Sequence, residues 1–402
     1  MNGGKYGLPP EAYRREMEEE LRSILDYWMR QGIDPLQGGF YGRIDGDEKV
    51  HGEAPKGLVL NSRICWAFSA AYDHTGDPQY RIVAVRAYEY LLAHFLDPDY
   101  GGAFWSVDHT GALLNGRKQI YGLAFCLYGL SEYFLATREP VALEQAVSLF
   151  RLIEAHSYDQ QRKGYYEAFS RDWQPLEDLR LSPKDANERK TMNTHLHVLE
   201  AYANLYRAWP DALLKEQIGN LLEVFGVYIV DQRTGHLLLF FGEDWTPRPG
   251  ILSFGHDIEA AWLLQDAAET IGDEHWITAT KEWALKIAEA AAGGLDDDGG
   301  LWYEQEGQHL VREKHSWPQA EAMIGFLNAW QLSGDKKWLE RSAASWEFVK
   351  NYMKDRLHGE WFWGVTADHS PMPGQDKAGF WKCPYHNSRA CLEVIRRLGD
   401  GR

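Results

Sequence analysis

The hydrophobic residues of this chain are concentrated in six long stretches, in which they recur every three or four positions. These stretches cover residues 61–74, 119–136, 193–208, 256–271, 317–332 and 386–398. The spacing predicts amphipathic helices, and the density of apolar residues predicts that each helix is buried over most of its surface. A further helical stretch follows five of them, near residues 77–96, 140–156, 210–230, 274–292 and 336–354.

The junctions between paired helices carry a common stop signal. Residues 76–77, 272–273 and 334–335 are each a Gly-Asp pair. Glycine ends a helix because it adopts the left-handed conformation without strain, and aspartate caps the first turn of the next helix. The sequence therefore predicts helix pairs joined by very short junctions.

A short aromatic segment separates each helix pair from the next. Its six copies read GGFYGRID, GGAFWSVD, GYYEAFSRDW, GHLLLFFGEDW, GGLWYEQE and GEWFWGV, and they begin at residues 38, 101, 164, 235, 299 and 359. Self-similarity at a period of about sixty residues indicates one supersecondary unit repeated along the chain. We interpret the segments as hairpin-like connections between the units.

The sixth helix pair is divided between the two ends of the chain. A helix predicted near residues 10–31 has to pair with the one at 386–398. An open solenoid of helical hairpins, the alternative, more often begins and ends with whole, polar-faced capping repeats. The sequence therefore predicts an all-α fold in a single domain, residues 1–402: a closed (α/α)6 barrel of twelve helices in two layers, with β-hairpin-like connections at one rim.

The composition excludes several classes of partner. The chain has 402 residues, is 45% hydrophobic and contains 17 Trp, enough to fill a large core and leave aromatic side chains for a ligand surface. Its net charge of -17 would repel phosphate backbones. Its apolar runs are shorter than the roughly 18 residues of a membrane span, and its N-terminus lacks a signal-peptide pattern. We expect a cytoplasmic protein with no nucleic-acid or membrane partner.

Cysteine and histidine spacing argues against a metal site. The four cysteines, at positions 65, 126, 383 and 391, show neither CxxC spacing nor the density of a disulfide scaffold, so we expect buried thiols. His195 and His197 are two positions apart, and on a helix their side chains diverge by about 200°. On a strand they would share a face and could bind zinc, but the residues that follow favour a helix. We predict no metal.

Polar residues of unusual chemistry recur near the starts of the predicted inner helices. They are Arg63, Tyr121, Asn193, His197, His256, Glu259, Trp317, His386 and Asn387. In a closed ring these side chains point toward a shared cavity, where three histidines and one arginine converge. His256 and Glu259 lie at i and i+3, so we expect the carboxylate to fix the imidazole tautomer and raise its basicity. The pattern predicts acid–base chemistry on a bound ligand.

Four sequence blocks resemble the N-acylglucosamine 2-epimerase superfamily, and within it the cellobiose 2-epimerase branch. They are MNTHLHVLEAY (192–202), SFGHDIEAAWLL (253–264), KHSWPQAEAMIGF (314–326) and FWKCPYHNSRA (380–390). The resemblance extends over nearly the whole chain and implies the same (α/α)6 fold. It also implies an enzyme, without a cofactor, that epimerises C2 of the reducing-end glucose in a β-1,4-linked disaccharide such as cellobiose or lactose.

The resemblance also implies roles for individual residues. His256 and His386 are the two acid–base residues, one on each face of the intermediate, while Arg63 and His197 lie near O1 and O2 and stabilise the enediolate. Glu259 supports the catalytic histidine. The residues that hold the sugar are Tyr121, Asp185, Asn193, Trp317 and Trp381. Imidazoles suit this chemistry because they both take and give protons near neutral pH.

Three other functions remain open at this point. A glycoside hydrolase on the same barrel would need two carboxylates about 5 to 10 Å apart, for which Glu188, Glu259 and Glu321 are candidates. A monosaccharide epimerase or an aldose–ketose isomerase of the same superfamily would use the same enediolate. A carbohydrate-binding protein would use the cavity without catalysis. We expect a monomer or a weak homo-oligomer that binds an oligosaccharide.

Overall fold

A computed structural model describes residues 8–248 and 250–399. Twelve α-helices account for most of it, and each predicted helix is present with its ends shifted by a few residues. They are α1 (Pro10–Tyr27), α2 (Leu58–Thr75), α3 (Pro78–Tyr90), α4 (Ile120–Thr137), α5 (Pro140–His156), α6 (Met192–Ala208), α7 (Ala212–Val224), α8 (Phe254–Ile271), α9 (Glu274–Ala291), α10 (Ser316–Ser333), α11 (Lys336–Phe348) and α12 (His386–Gly399).

The even-numbered helices form an inner ring. Each contacts the next one around the ring, and α12 contacts α2, which closes it. Almost all residues of α2, α4, α6, α8 and α10 are buried, as their dense apolar faces predict. The closed (α/α)6 barrel is therefore confirmed, and the open solenoid is wrong.

The odd-numbered helices form the outer layer, each packed on the inner helix of its own pair, and α3, α5, α7 and α9 also contact the next inner helix. The first helix, α1, packs on α12, so the two ends of the chain build one unit as predicted. Side chains of α1 also reach the neighbouring unit, where the Tyr13 hydroxyl lies 3.2 Å from Oγ of Ser342. Four outer helices end in a π-helical turn, at Trp28–Gly32, Leu91–Phe95, Phe225–Ile229 and Val349–Met353.

The predicted stop signals have the expected geometry. Gly76, Gly272 and Gly334 each end an inner helix with a positive φ, of 71°, 60° and 71°. At the second of these junctions the Asp273 carboxylate accepts hydrogen bonds from the backbone N–H groups of His275 and Trp276. The aspartates at positions 77 and 335 each accept one such bond in the same way.

Short strands at one rim join neighbouring units. They are β1 (Lys56–Gly57), β2 (Ser106–Val107), β3 (Leu113–Asn115), β4 (Lys118–Gln119), β5 (Ala168–Phe169), β6 (Lys190–Thr191), β7 (Phe240–Phe241), β8 (Ile251–Ser253), β9 (Glu304–Glu306), β10 (His309–Val311), β11 (Lys314–His315) and β12 (Gly364–Val365). The strand before an inner helix pairs antiparallel with the aromatic segment of the following unit, as β1 does with β2 and β11 with β12. A bridge between Ile44 and Ala378 makes the sixth connection and closes this layer too.

Among the described residues, a lysine–aspartate pair whose lysine is buried fixes the rim in five of the six units, a repeat that the sequence analysis missed. In each, a lysine shortly before an inner helix bonds an aspartate at the end of an outer helix. The pairs are Lys56–Asp34, Lys118–Asp97, Lys190–Asp159, Lys314–Asp296 and Lys377–Asp355, with N–O distances of 2.9, 2.7, 2.8, 2.8 and 2.8 Å. These pairs anchor the start of the inner helices to the outer layer.

The structure also shows the state of the cysteines and the burial of the most apolar helix. All four cysteines are free and buried, as predicted. Helix α4 is the one described helix that is long and apolar enough to cross a membrane by length and composition, and 72% of its apolar stretch is buried within the protein.

Candidate active site

The inner helices all begin at the strand-bearing rim, so their first turns face one another around the mouth of the barrel. Arg63, Tyr121 and His197 are buried there. Asn193, His256, Trp317, Trp381 and His386 are partly exposed. The ring thus brings together the histidines, the arginine and the aromatic residues that the sequence placed in one cavity.

His386 opens helix α12 and rests on a buried carboxylate. Its Nδ1 lies 2.7 Å from Oε1 of Glu321 and 3.9 Å from Oε1 of Glu259. Arg389, one turn later on α12, donates from Nη2 to both carboxylates at 2.7 Å. Two carboxylates placed so close repel each other, and the guanidinium between them supplies the opposite charge that their burial requires.

His197 has a carboxylate of its own, on the same helix. Its Nδ1 lies 2.9 Å from Oε2 of Glu200. The other oxygen of Glu200 accepts hydrogen bonds from Arg389 and from the hydroxyl of Tyr385. Through Arg389, the carboxylate behind His197 is joined to the pair of carboxylates behind His386.

The expected pairing of His256 with Glu259 is wrong. Nδ1 of His256 lies 2.8 Å from Oγ of Ser253, in the strand before α8. Glu259 instead faces Arg389, because a fully buried carboxylate gains more from a guanidinium than from a neutral imidazole. Glu259 thus lies beneath His386, not beside His256.

Trp317 lies between the two histidines that the family resemblance marks as catalytic. The centroid of its ring is 4.7 Å from that of His256 and 5.6 Å from that of His386. The preceding inner helix can approach so closely because residue 255 is glycine: a Cβ there would come within 2.5 Å of the Trp317 ring. Both imidazoles therefore border the same part of the cavity.

Burial keeps the histidines of the site neutral. It lowers the pKa of His256 to about 3, and His197 adds to the effect. Burial also lowers the pKa of His386 well below its usual value, helped by Arg63 and Arg389. The pKa of His197 is lowered by burial too, although Glu200 opposes the shift. Neutral imidazoles are the form that accepts a proton.

The carboxylates behind the histidines differ in the direction in which their pKa values are shifted. Burial raises the pKa of Glu259, and the adjacent Glu321 raises it further. For Glu200, burial is outweighed by Arg389 and His197, which hold the pKa at about 2. The layer beneath the site therefore contains one firmly ionised carboxylate and a pair that Arg389 holds together.

Arg63, on α2, presents a fixed positive charge beside Tyr121 and Tyr385. Its Nη2 donates to the hydroxyl of Tyr121 at 2.8 Å, and its guanidinium lies over the rings of Phe125 and Tyr385. Burial alone would lower the pKa of Arg63, but Tyr121 and other neighbours that favour the cation raise it. Nε of Arg63 is buried without a hydrogen-bond partner among the described residues.

The predicted sugar-holding residues lie around the same mouth. Trp381 lies against Tyr121, with ring centroids 6.0 Å apart, and against Trp105, with centroids 5.9 Å apart. Oδ1 of Asn193 is buried and has no partner among the described residues, so it is free to bind a hydroxyl group. Trp105 was not predicted, although it belongs to the second aromatic segment.

Asp185 lies in the loop between β5 and β6, as predicted. Its carboxylate accepts a hydrogen bond from the backbone N–H of Ser182 at 2.8 Å, which folds the loop on itself. Asp185 also acts electrostatically on Tyr303 and Glu304, where burial is the main cause of a raised pKa. The loop therefore extends toward the aromatic segment of the fifth unit, at the rim.

His195 and the residues that could bind a metal have other partners in the structure. Both nitrogens of His195 are engaged: Nε2 accepts from the backbone N–H of Tyr165 at 2.8 Å, and Nδ1 donates to the carbonyl of Thr191 at 2.7 Å. His195 thus points away from His197, as the helical spacing predicts. Glu259, Glu321 and His386 are close enough to share a cation, but Arg389 already provides positive charge to both carboxylates.

The carboxylates considered for a hydrolase do not face a common substrate. Glu259 and Glu321 are almost fully buried and share one guanidinium beneath His386. Glu188 forms an ion pair with Arg248 at 2.8 Å in the rim loops. These three candidates therefore do not provide the two facing carboxylates that glycoside hydrolysis requires.

Sequence reasoning missed the layer that supports the site, formed by Glu200, Glu321, Tyr385 and Arg389. Part of this layer could have been predicted from the sequence. Glu200 follows His197 at i+3, the same spacing that drew attention to Glu259. Arg389 follows His386 at i+3, but its partners come from three other helices, and only the closed ring brings them together.

The chain is similar to known proteins over nearly its whole length. The family model for N-acylglucosamine 2-epimerase matches residues 39–390. A cellobiose 2-epimerase of Bacteroides fragilis is 49% identical over 96% of this chain and 99% of its own length, and one of Dictyoglomus turgidum is 39% identical over 96% and 99%. The solved structure of cellobiose 2-epimerase from Bacillus thermoamylovorans B4167 is 40% identical, with a TM-score of 0.92 over 96% of this chain and 100% of that one. The expectation of a carbohydrate epimerase is confirmed, and the chain belongs to the N-acylglucosamine 2-epimerase family.

Proposed function

We propose that the protein is a cofactor-independent cellobiose 2-epimerase, which interconverts glucose and mannose at the reducing end of β-1,4-linked disaccharides. It takes cellobiose to glucosyl-mannose and lactose to epilactose. The observation that carries the proposal is the placement of His256 and His386 around Trp317, with ring centroids 4.7 and 5.6 Å from the indole. Two imidazoles that border one cavity can reach the two faces of one sugar carbon. The names of the relatives support the same substrate class.

The reaction moves one proton off C2 and another onto it, with no net change in electrons. Once the hemiacetal ring is open, one neutral imidazole removes the C2 proton, and the C–H electron pair becomes the C1=C2 bond of an enediolate. The negative charge of the enediolate favours the protonated form of the other imidazole, which takes a proton from water and delivers it to the opposite face of C2. The aldehyde then re-forms at C1, and the first imidazolium returns its proton to water. The two histidines exchange roles in the reverse direction.

The surroundings of the histidines indicate which nitrogen does this work. Nδ1 of His386 faces Glu321, and Nδ1 of His256 faces Ser253. These contacts leave Nε2 of each ring for the substrate. Fixing the imidazole through its other nitrogen is how enzymes orient a histidine base.

The enediolate requires positive charge or hydrogen-bond donors near O1 and O2. Arg63 supplies a buried guanidinium, and its nitrogen Nε has no partner among the described residues. His197, whose ring centroid is 5.1 Å from that of Tyr121, lies beside it. Because Nδ1 of His197 faces the Glu200 carboxylate, its Nε2 is left to accept a hydrogen bond from a sugar hydroxyl, and it becomes a donor only when the ring is protonated. Donors that are already in place stabilise charge as it develops, which is often the largest single catalytic contribution.

The remaining residues of the mouth hold the disaccharide. Trp317 and Trp381 present flat apolar faces that suit the C–H face of a pyranose. Asn193 and Tyr121 offer hydrogen bonds near the reacting sugar, and Asp185 does so from the rim loop. Reprotonation at C1 in place of C2 gives the ketose, so we expect a minor ketose by-product from the same intermediate.

The direct test is product analysis after incubation with cellobiose. We expect a disaccharide with mannose at its reducing end, identified by NMR, and no free glucose. The His256→Asn and His386→Asn variants should bind the disaccharide but give no epimer. Release of glucose would overturn the proposal, and so would full turnover in both variants.

A further inference from the structure

A second cavity opens at the end of the barrel opposite the active site. Its volume is about 570 Å³, and it is lined by the C-terminal halves of α2, α4, α6, α8 and α12 together with Arg14 of α1. The candidate active site lies at the N-terminal ends of the same helices. Two residues, Glu200 and Arg389, belong to both, because they form the inner wall of this cavity and the layer behind His197 and His386. We call this cavity the lower chamber.

The charges of the lower chamber are balanced. Five arginines and five carboxylates line it, so it favours neither an anion nor a cation. Several of these groups are paired within the wall: Asn204 donates to Glu132 at 2.9 Å, and Arg207 donates to Asp266 at 2.6 Å. A neutral ligand rich in hydroxyl groups matches a wall of alternating donors and acceptors.

Aromatic side chains form the apolar part of the wall. Trp66 and Tyr128 stack with ring centroids 5.3 Å apart, and Trp262 also lines the chamber. Flat aromatic surfaces beside hydrogen-bonding groups are suited to the two kinds of surface on a pyranose ring. The volume is within the range of small-molecule sites.

Two polar groups beside the chamber have no hydrogen-bond partner among the described residues. Trp66 is 6% exposed, and its Nε1 has no hydrogen-bond partner among the described residues. Tyr128 is 7% exposed, and no described residue bonds its hydroxyl. Glu200, Arg389, Glu132 and Arg207 all act on the pKa of Tyr128, which burial raises, and all four line the chamber. Tyr128 itself lines the chamber together with these four groups.

We propose that the lower chamber is a second carbohydrate site, which binds a neutral sugar of monosaccharide size between the Trp66–Tyr128 stack and the polar groups of Glu132, Asn204 and Arg207. The site is separate from the one where C2 chemistry takes place, because Glu200 and Arg389 lie between the two. A sugar bound there lies next to Glu200 and Arg389, the charged pair behind His197 and His386.

The test uses methyl β-D-glucopyranoside, a glycoside that cannot open its ring and is not consumed. Binding is measured by saturation-transfer NMR on full-length protein carrying Asn193→Trp, which blocks the active-site mouth with an indole. Leu135→Trp, which places an indole into the lower chamber, is then added in the same background. Ala70→Phe fills the chamber from a different helix, and cooperative thermal unfolding confirms that each variant is folded.

We expect the Asn193→Trp protein to bind the glycoside at millimolar concentration. Adding either chamber-filling substitution should weaken binding about tenfold or more. Absence of binding in the Asn193→Trp protein would show that the chamber takes up water only and would overturn the proposal. Binding that both chamber-filling variants leave unchanged would overturn it too. Epimerisation by the wild type is measured independently, so neither result bears on the proposed function.

Discussion

At the scale of single residues, the site depends on what stands behind each histidine. The sequence predicted His197, His256, His386 and Arg63 because these residue types recur at the starts of inner helices. It predicted the wrong partner for His256, since an i and i+3 spacing shows which residues share a helix face but not which groups on other helices compete for them. Glu259 faces Arg389 for that reason.

The first prediction concerns Glu321, which positions His386 through its contact with Nδ1. The Glu321→Gln variant keeps the size of the side chain but loses the carboxylate that Arg389 and His386 share. We expect kcat to fall on the order of 10²-fold, the usual cost of misplacing a catalytic group, with little change in KM.

The control for this variant is Glu154→Gln. Glu154 is a partly buried carboxylate that accepts hydrogen bonds from Tyr165 and Tyr202, outside the candidate active site, and desolvation raises its pKa to about 7. The Glu154→Gln variant should leave kcat unchanged. Equal losses in the two variants would mean that Glu321 is merely structural.

The second prediction concerns pH. Because burial lowers the pKa of both His256 and His386, these imidazoles stay neutral when the pH falls below the usual histidine value of 6.5. The acidic limb of kcat/KM, which reports the free enzyme, should therefore lie below pH 6.5. A profile measured with cellobiose that already declines at pH 7 would contradict this assignment of the bases.

At the scale of elements, the start of each inner helix is what brings the site residues together. Helix boundaries and the Gly-Asp junctions were predictable because periodicity and capping are local. The lysine–aspartate pairs were not predicted, because each joins residues of two elements and a lysine before a helix looks like any polar linker. Lys190, for example, bonds both Asp159 and the carbonyl of Lys163, just before the helix that carries Asn193 and His197.

The third prediction is that Lys190→Met destabilises the protein strongly. The substitution leaves the buried Asp159 without its counter-charge, which costs about 3–5 kcal/mol of unfolding free energy. Lys337→Met, which breaks an exposed pair with Glu289, should cost about 1 kcal/mol or less. Urea unfolding of both variants measures these losses. Equal losses of unfolding free energy would show that the buried pairs do not anchor the rim.

At the scale of the whole molecule, closure of the ring was predicted from the split sixth unit. The link between closure and the candidate site was not predicted, because it depends on a contact between residues more than 300 positions apart. Trp28, at the end of the first helix, donates to Glu360 at 2.6 Å, and Glu360 also accepts from Lys382 and Asn387, beside His386. The N-terminal helix is thus connected to the candidate active site through one carboxylate.

The fourth prediction follows from this connection. Trp28→Ala removes a fully buried indole and should cost about 3–5 kcal/mol of unfolding free energy. It should also lower kcat at temperatures where the protein remains folded, because Glu360 loses a donor and shifts beneath Asn387. A variant that is less stable but has unchanged kcat would show that ring closure and catalysis are independent.

The most direct test of the account is the isotope content of the product formed from cellobiose in heavy water. Two imidazoles that exchange protons with solvent predict a mannose-ended disaccharide carrying deuterium at C2, and loss of this exchange in the His386→Asn variant. A C2 epimer that retains its original hydrogen at that carbon would contradict proton transfer by His256 and His386.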